Sequence, residues 1–398
     1  MNALVKQHLI DPEICIRCYT CEEHCPVDAI THDDNNVVVD VTKCNFCMDC
    51  ISPCPTGSID NWRIVAEPYT LEQQFEMLEL PAQEDGLEQE TDGGGSLEAL
   101  EDEIGALLAR AHEGTGGKPV APSSASKPSV NLFNRAKPAT AIVQGNFRLT
   151  DADAESDVRH IIVSLGNQVF PVLEGQSVGV IVPGTGENGR PHEPRLYSIA
   201  SARDGEKPNT NNIALTVKRE PDGLASNYLC DLEKGAEIEI TGPFGATFLL
   251  PNDPQANIVM ICTGTGSAPF RGFTERRRRT MPDVGDKLHL YFGARRPEEL
   301  PYFGPLKKVP ERLLHKEFCY SRVDGQKKVY VQDRMRERSE SLVPILRDDK
   351  THIYICGLKG METGVDEALA DVCRAAGLDW ASIKPQMRTS GRYHVETY

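Results

Sequence analysis

The sequence predicts a multidomain protein in which a small α+β domain is followed by an antiparallel β-barrel and then by a parallel α/β domain. Three features predict this order: a cysteine pattern that occurs twice before residue 60, a series of short strand-like segments after residue 139, and alternating strands and helices after residue 251. A chain of 398 residues has room for two or three such domains. We expect the domains at 1–66, 139–250 and 251–398, with an acidic linker of helical and flexible character at 67–138.

The charge of the chain is unevenly distributed, and this distribution restricts the classes of binding partner that we expect. Of the net charge of −16, residues 1–66 carry −6, residues 67–117 carry −13 and residues 118–398 carry +3. Such an acidic N-terminal part argues against a nucleic acid partner and suits a basic docking partner or simple solubility. No run of eighteen apolar residues occurs, so we expect no membrane span.

The first residues of the chain indicate the cellular compartment, and the compartment in turn indicates the role of the cysteines. The first residues, MNALVKQHLIDPE, lack the apolar core and the small-residue cleavage site of a secretion signal. We therefore expect a cytoplasmic protein. In that reducing compartment, clustered cysteines are metal ligands more often than disulfides.

The duplicated cysteine pattern reads C-x2-C-x2-C-x3-C-P, and Cys15–Ile30 aligns with Cys44–Ile59 at a shift of 29 residues. Zinc sites normally use two separated C-x2-C pairs or cysteine and histidine mixtures, so zinc is the weaker alternative and disulfides are weaker still. The pattern matches the bacterial ferredoxin signature, in which the fourth cysteine of each copy binds the other cluster. This match predicts a ferredoxin-like domain with two [4Fe–4S] clusters. The predicted ligands are Cys15, Cys18, Cys21 and Cys54 for one cluster (cluster A) and Cys44, Cys47, Cys50 and Cys25 for the other (cluster B).

The region after the cysteines has linker composition interrupted by one amphipathic segment. Residues 84–96 and 114–129 are rich in glycine, proline, serine or charge, and we expect both to be flexible. Between them, apolar residues at helical spacing in 97–111 predict one helix. This helix either packs on its own domain, which is the commoner case, or docks a partner.

The later domains carry four motifs that suit a flavin and a dinucleotide. RLYSIAS offers an arginine for a pyrophosphate, an aromatic ring for a flavin face and a hydroxyl for flavin N5. GLASNYL (223–229) offers backbone amides and the Ser226 hydroxyl to a phosphate at a helix start. CTGTGSAPFR (262–271) joins a buried strand to a helix through glycines, and YICG (354–357) ends a later strand. The basic run ERRRRT (275–280) is expected on an exposed helix face, with docking to the acidic domain as the alternative.

Together these motifs make residues 139–398 resemble the ferredoxin–NADP reductase family. The resemblance implies FAD and NADPH as cofactors. The implied flavin-binding residues are Arg195, Leu196, Tyr197, Ser198, Gly223, Leu224, Ala225, Ser226 and Tyr398. The implied NADPH-binding residues are Thr263, Gly264, Thr265, Gly266, Arg295, Ser321, Arg322, Lys328 and Tyr330, of which the last four would select the 2′-phosphate. The implied catalytic residues are Ser198, Cys356, Glu396 and Tyr398, where hydride passes from nicotinamide to flavin.

The whole chain, with HLIDPEICIRC in front and CMDCISPCPTGSIDNWR at the second copy, also resembles the reductase subunits of benzoyl-CoA 2,3-epoxidase. That resemblance implies a separate di-iron oxygenase subunit as the electron acceptor. Di-iron bundles use Glu-x-x-His motifs, and none of the ten histidines here follows a glutamate at that spacing. A general NADPH–ferredoxin oxidoreductase fused to its own ferredoxin and a non-enzymatic redox sensor are the alternatives. The sequence does not indicate whether the protein forms a homo-oligomer.

Overall fold

The computed structural model of the chain describes residues 5–12, 15, 19–47, 49–51, 54, 58–59, 62–65, 67–78, 80–81, 119–186, 189–206 and 210–397. The predicted fold class is confirmed, because a small α+β unit precedes an antiparallel six-stranded sheet and a parallel five-stranded α/β sheet. The predicted helix at 97–111 and the predicted linker at 84–96 lie outside the described residues. None of the helices in the described part is long and apolar enough to cross a membrane.

The cysteine-rich domain consists of two short antiparallel strand pairs around a small apolar core. The elements are β1 (Val5–His8), α1 (Thr20–Glu23), β2 (Ile30–His32), β3 (Val37–Val39) and β4 (Trp62–Val65), with β1 paired to β4 and β2 paired to β3. Ile30 and Ile59, which occupy equivalent positions in the two copies of the repeat, are both buried in this core. Cys50 and Cys54 are buried beside them. The duplicated sequence therefore folds around one shared interior.

This domain extends beyond the predicted boundary at residue 66. The amide side chain of Gln7 donates to the Tyr69 carbonyl at 2.8 Å and accepts from the Tyr69 N–H at 2.7 Å. Gln74, on helix α2 (Leu71–Phe75), makes the same paired bonds with the backbone of Val39 at 3.0 and 3.1 Å. Both glutamines are buried, so their amides satisfy backbone groups that a neighbouring strand would otherwise satisfy. Residues 69–77 thus pack as part of this domain, whereas the sequence assigned them to the linker.

The antiparallel barrel follows, and its interior is built from alternating positions. Its strands are β5 (Ala139–Arg148), β6 (Val158–Ser164), β7 (Ser177–Ile181), β8 (Arg195–Ser198), β9 (Asn212–Lys218) and β10 (Glu237–Phe244), in the order β8-β7-β10-β5-β6-β9. In β5, Ala139, Ala141 and Val143 are buried while the residues between them are exposed. A bridge between Ile199 and Leu215 connects the two edge strands. The sheet therefore closes on itself, as predicted.

The C-terminal domain is a parallel sheet covered by helices on both faces. Its strands are β11 (Asn257–Thr263), β12 (Leu288–Ala294), β13 (Leu314–Tyr320), β14 (Thr351–Gly357) and β15 (Tyr393–Thr397), in the order β13-β12-β11-β14-β15. The helices of the barrel and this domain are α3 (Leu224–Asp231), α4 (Ala268–Thr280), α5 (Phe303–Lys308), α6 (Val331–Glu337), α7 (Ser339–Arg347), α8 (Met361–Ala375) and α9 (Trp380–Thr389). The strand order reverses between β11 and β14. In open α/β sheets, ligands bind at the carboxyl ends of the strands at such a reversal.

The predicted flexible linker at 114–129 is packed where the structure describes it, from residue 119 onward. Ser126 is buried, and its hydroxyl accepts hydrogen bonds from Arg203 at 3.1 Å and from Asn252 at 3.0 Å. A Cβ atom on Gly391 would lie 2.1 Å from the Ala121 carbonyl oxygen. The turn before β15 therefore lies directly against the segment 119–129. Asn252 and Gln176 also donate to the carbonyls of Ser124 and Ser129, at 3.2 and 3.0 Å. Flexibility is therefore wrong for residues 119–129, because the segment bonds to the domains beneath it.

The expectation that the basic run lies on an exposed helix face is also wrong. Arg277 is 3% exposed and donates hydrogen bonds to carbonyls of the 251–253 loop. Arg279 donates to the Asp204 carboxylate at 2.8 Å. Arg278 is the exposed member of the run, at 53%, and pairs with Glu275 on its own helix. The arginines lie inside because α4 packs against the barrel, where long guanidinium groups reach carbonyl and carboxylate oxygens.

A second ion pair joins α4 to the strand that carries the flavin motif. The Arg271 guanidinium donates to both carboxylate oxygens of Glu206 at 2.8 and 2.5 Å and to the Ala200 carbonyl at 2.9 Å. Burial by itself would raise the pKa of Glu206, but the hydrogen bond from His160 and the charge of Arg271 lower it to about 2. A Cβ atom on Gly272 would lie 2.9 Å from the Ser201 carbonyl oxygen, so the helix and the strand end are in direct contact.

A fully buried pair supports this interface from the barrel side. Arg203 donates to the Glu174 carboxylate at 2.7 and 3.0 Å, and both side chains are nearly inaccessible to solvent. Burial opposes ionisation of Glu174, but the charges of Arg203 and Arg276 lower its pKa below the ordinary value. Breaking such a pair by removing one partner leaves a buried charge without compensation, which costs about 3–5 kcal/mol.

We predict that Glu206→Gln lowers the free energy of unfolding by about 1.5–3 kcal/mol at neutral pH, because hydrogen bonds to charged groups contribute that much. The carboxyl has a pKa of about 2 in the folded chain and about 4.3 when unfolded. The stabilisation is therefore complete above the unfolded pKa and is lost as the pH falls through the folded pKa. Urea unfolding at a series of pH values should show the two proteins converging in acid.

The matched control for this experiment is Glu193→Gln, which removes a half-exposed carboxylate paired with Arg135. An exposed pair contributes about 0–1 kcal/mol, so this variant should stay close to the original protein at every pH. A difference between Glu206→Gln and the original protein that stays constant between neutral pH and acid would contradict the assigned role of the charge.

Candidate functional site

Three of the predicted catalytic residues meet where the barrel adjoins the parallel sheet. The hydroxyl of Ser198, the last residue of β8, donates to the Glu396 carboxylate at 3.3 Å. Glu396 lies on β15 directly beside Cys356 on β14, which is its register partner. Residues from two domains therefore converge on one place. Tyr398, the fourth predicted residue, lies outside the described residues.

Two titratable groups near this junction, the Cys356 thiol and the Tyr197 phenol, are held in their neutral forms. Burial raises the pKa of the Cys356 thiol well above its ordinary value, and the nearby Glu396 carboxylate raises it further. Burial also raises the pKa of Tyr197 to about 12, which the neighbouring Cys230 reinforces and Arg195 opposes. A neutral thiol and a neutral phenol can pack against an aromatic cofactor without repelling it. Neither group is suited to act as a nucleophile at neutral pH.

The predicted phosphate-binding turn precedes helix α3. Gly223 caps this helix, and a Cβ atom there would lie 2.4 Å from the Ser226 hydroxyl oxygen, so a larger residue would displace that hydroxyl. The Ser226 hydroxyl accepts from the Glu220 N–H and donates to the Gly223 carbonyl, both at 3.1 Å. Ser226 therefore shapes the turn with its hydroxyl. The backbone amides at the helix start receive no side-chain cap, and such amides favour an anion. Leu224 and Ala225 supply the first of them.

The glycine-rich loop lies between β11 and α4, as the motif predicts. Thr263 ends the strand, and Gly264–Ser267 form one turn of 3-10 helix before α4 begins. Gly264 has a φ of +55°, a conformation that glycine adopts without strain. A Cβ atom on Gly266 would lie 2.2 Å from the Cys356 carbonyl oxygen. Glycine at 266 thus allows the loop to lie against the end of β14, next to the catalytic candidates.

A cleft of about 620 Å³ extends from this loop along the carboxyl ends of the parallel strands. Its lining includes eight of the predicted nucleotide-binding residues: Thr263, Gly264, Thr265, Arg295, Ser321, Arg322, Lys328 and Tyr330. The Arg322 N–H donates to the Arg295 carbonyl at 2.8 Å, so the chain holds these two arginines on adjacent segments. Arg295 also pairs with Glu155 at 3.3 Å, but both side chains are half-exposed and such a pair is weak.

The cleft also contains residues that the sequence reasoning missed. Lys218, at the end of β9, and Lys359, just after β14, both line the cleft, as do Leu358 and Gln332. Lys218 pairs with the Glu220 carboxylate, which also lines the cleft, at 2.7 Å. The position of Lys359 in the sequence could have identified it as a binding residue. It follows β14, a strand beside the reversal in strand order, and ligands bind at such a reversal. Lys218 had none, since the barrel contributes it from a different domain.

The four cysteines predicted to bind cluster B lie around one small cavity. Cys25, Cys44, Cys47 and Cys50 line it together with apolar residues, His8 and Asn45. Burial raises the pKa of Cys50 well above its ordinary value, and the nearby Cys44 and Cys47 raise it further. Four thiolates around one cavity need a cationic centre among them, so the four cysteines fit an iron–sulfur cluster.

The ligands predicted for cluster A are described in part. Cys21 and Cys54 are buried, and Cys15 packs against the same core, while Cys18 lies outside the described residues. Within the described part, no three His, Cys, Asp or Glu side chains are grouped as a single metal ion would require. A cubane cluster binds each thiolate through a different iron at a different corner, so its ligands need not converge on one point.

Three sequence families match successive parts of the chain. Residues 7–55 match a 4Fe-4S dicluster domain, residues 148–248 an oxidoreductase FAD-binding domain and residues 260–367 an oxidoreductase NAD-binding domain. The leaf isozyme 2 ferredoxin–NADP reductase of Oryza sativa subsp. indica is 36% identical over 286 residues, which are 67% of this chain and 78% of that protein. The ferredoxin–NADP reductase of Thermosynechococcus vestitus is 35% identical over 336 residues, which are 78% of this chain and 87% of that protein.

The chain belongs to the ferredoxin–NADP reductase family. The solved ferredoxin–NADP+ reductase of Plasmodium falciparum has the same fold, with 24% sequence identity and a TM-score of 0.53 over 68% of this chain and 99% of that chain. The protein studied is therefore a flavoprotein oxidoreductase that uses FAD and NADPH. It also carries [4Fe–4S] clusters in an added N-terminal domain. The cofactors predicted from the sequence are thereby confirmed.

We predict that Gly266→Ala lowers NADPH-dependent flavin reduction at least tenfold, because the added methyl group would collide with the Cys356 carbonyl oxygen. Overpacking of this kind costs about 1–3 kcal/mol. Stopped-flow measurement of flavin reduction, with flavin content determined first, tests the prediction. Gly304→Ala is the matched control, since the added group would meet no atom within 4 Å apart from its chain neighbours and the backbone of its own helix. Equal rates in the two variants would mean that the loop does not need its close approach to β14.

Proposed function

We propose that this reductase passes electrons from NADPH through FAD and two [4Fe–4S] clusters to a separate di-iron oxygenase subunit, which epoxidises benzoyl-CoA in aerobic benzoate degradation. One observation carries the reductase half of the proposal. Ser198, Cys356 and Glu396 meet where the flavin strand adjoins the glycine loop, in a chain that has its own two-cluster domain.

In this proposal, each residue at the junction has a distinct role in hydride transfer. Arg195 would bind the flavin pyrophosphate, and Tyr197 and Tyr398 would cover the two faces of the flavin. The hydrogen bond from Ser198 to Glu396 holds both polar groups in one orientation, where they would face the nicotinamide. Cys356 stays a neutral thiol and would pack against the nicotinamide ring.

The same proposal assigns the far end of the cleft to the 2′-phosphate of NADPH. Ser321, Arg322, Lys328 and Tyr330 all line it, and guanidinium, ammonium and hydroxyl groups make charge-assisted bonds to a phosphate. The phosphate-free NADH would leave these donors unused. NADPH would therefore be preferred.

The clusters would receive the electrons inside the same chain. Flavin accepts two electrons as a hydride and releases them one at a time to clusters that carry one each. Val169 of the barrel packs against the core of the cysteine-rich domain, which supports direct contact between the two domains. Residues 67–117 carry a charge of −13, which suits a basic surface on the acceptor.

The acceptor distinguishes the proposal from the general NADPH–ferredoxin oxidoreductase, which the names of the relatives favour. The test is to mix the reductase, NADPH, benzoyl-CoA and the di-iron subunit, and to compare NADPH oxidation with and without benzoyl-CoA. We expect oxidation coupled to product and dependent on the di-iron subunit. Rapid reduction of an added ferredoxin with no electron delivery to the di-iron subunit would support the general oxidoreductase instead.

We predict that Arg322→Ala lowers the kcat/KM for NADPH by about 1.5–3 kcal/mol of transition-state binding, because it removes a charged phosphate donor. NADH turnover should hardly change. Steady-state kinetics with both nucleotides and ferricyanide as the acceptor provide the measurement. Arg278→Ala, which removes an exposed arginine outside the cleft, is the control. Equal losses with NADPH and NADH would show that Arg322 does not read the phosphate.

A further inference from the structure

The two copies of the cysteine repeat differ beside their crossing cysteines. Cys25 and Cys54 are equivalent in the repeat, and four residues later the first copy has Ala29 where the second has Ser58. The Ala29 N–H donates to the Cys25 sulfur at 3.2 Å. The Ser58 hydroxyl oxygen lies 3.3 Å from the Cys54 sulfur. The second copy thus offers a hydroxyl to its crossing cysteine at the position where the first copy has a methyl group.

The direction of the Ser58 hydrogen bond follows from the chemistry of Cys54. A cysteine bound to iron is a thiolate and has no proton to donate, so the Ser58 hydroxyl must be the donor. Ser58 is 4% exposed, and its carbonyl accepts from the Asp11 N–H at 2.7 Å, which holds the backbone in place. A charge-assisted bond in a buried place is stronger than the same bond in water.

This bond affects one cluster and not the other. Reduction adds one negative charge to a cluster and its thiolates, so a hydrogen bond to a thiolate sulfur stabilises the reduced form and raises the reduction potential. Cys54 belongs to cluster A, whereas Cys25 belongs to cluster B. The Ala29 side chain lines the cluster B cavity beside Cys25 but has no proton to donate.

We propose that Ser58 sets the two clusters apart by raising the reduction potential of cluster A relative to that of cluster B. An electron that enters the domain would then reside mainly on cluster A. The inference depends on the two-cluster assignment and not on the identity of the acceptor. The two copies differ at ten of their sixteen aligned positions, and the Ala29–Ser58 difference is the one that puts a hydroxyl against the sulfur of a crossing cysteine.

The test uses the full chain with both clusters loaded, in the variants Ser58→Ala, Ala29→Ser and the two combined. Iron and sulfide are measured first, and then each potential is determined by a redox titration followed by electron paramagnetic resonance. Ser58→Ala should change the equilibrium constant for reduction of cluster A roughly three- to tenfold. Its reduction potential should therefore fall by about 30–60 mV, since tenfold is 59 mV for one electron. Ala29→Ser should raise the potential of cluster B, and the combined variant should reverse the order of the two potentials.

Three results would overturn the inference: unchanged potentials in Ser58→Ala at full iron and sulfide content, both potentials moving together, or Ser58→Ala and Ala29→Ser acting on the same cluster. Ser58→Thr keeps a hydroxyl and should preserve the separation. Loss of the separation in Ser58→Thr, as large as in Ser58→Ala, would also contradict a role for the hydroxyl. Low iron and sulfide in the original protein would instead count against the two-cluster assignment, so the two failures are distinguishable.

Discussion

The ion pair between Arg271 and Glu206 is the constraint on which the reductase site depends. Arg271 lies on the helix that follows the glycine loop, and it also bonds to the Ala200 carbonyl, two residues beyond Ser198. Hydride transfer needs reacting atoms about 3–3.5 Å apart, so a small rotation between the domains would be costly. Bidentate guanidinium–carboxylate bonds restrict such rotation because both donors must stay aligned.

Buried charge is organised differently in the cysteine-rich domain. At the barrel interface the Glu174 and Glu206 carboxylates are each paired with a guanidinium. The cavity lined by Cys25, Cys44, Cys47 and Cys50 has no Arg or Lys in its described lining, and its His8 lies 3.9 Å from the Cys50 sulfur. Thiolates in that arrangement repel one another unless a metal centre compensates them. The cluster is therefore part of the folding chemistry of the domain, and the few donors near the sulfurs control its electrostatics.

The departures from the sequence predictions have a common cause. Arg277, Ser126 and Gln74 are polar residues in polar segments, and composition alone assigns them to the surface or to a linker. Each is buried because a distant segment supplies its hydrogen-bond partner: the 251–253 loop, Arg203 or Val39. Local sequence carries the polarity of a side chain but not the identity of a partner far along the chain.

The sequence by itself determined the features that depend on spacing within a few residues. Cysteine spacing determined the cluster type, the glycines determined the dinucleotide loop, and strand-and-helix alternation determined the fold class, because each needs only local backbone geometry. Only the tertiary structure decided the rest. Ser198 meets Glu396 across 198 residues, and Lys218 reaches the nucleotide cleft from another domain. These contacts arise from the packing of one domain on another, which no local pattern encodes.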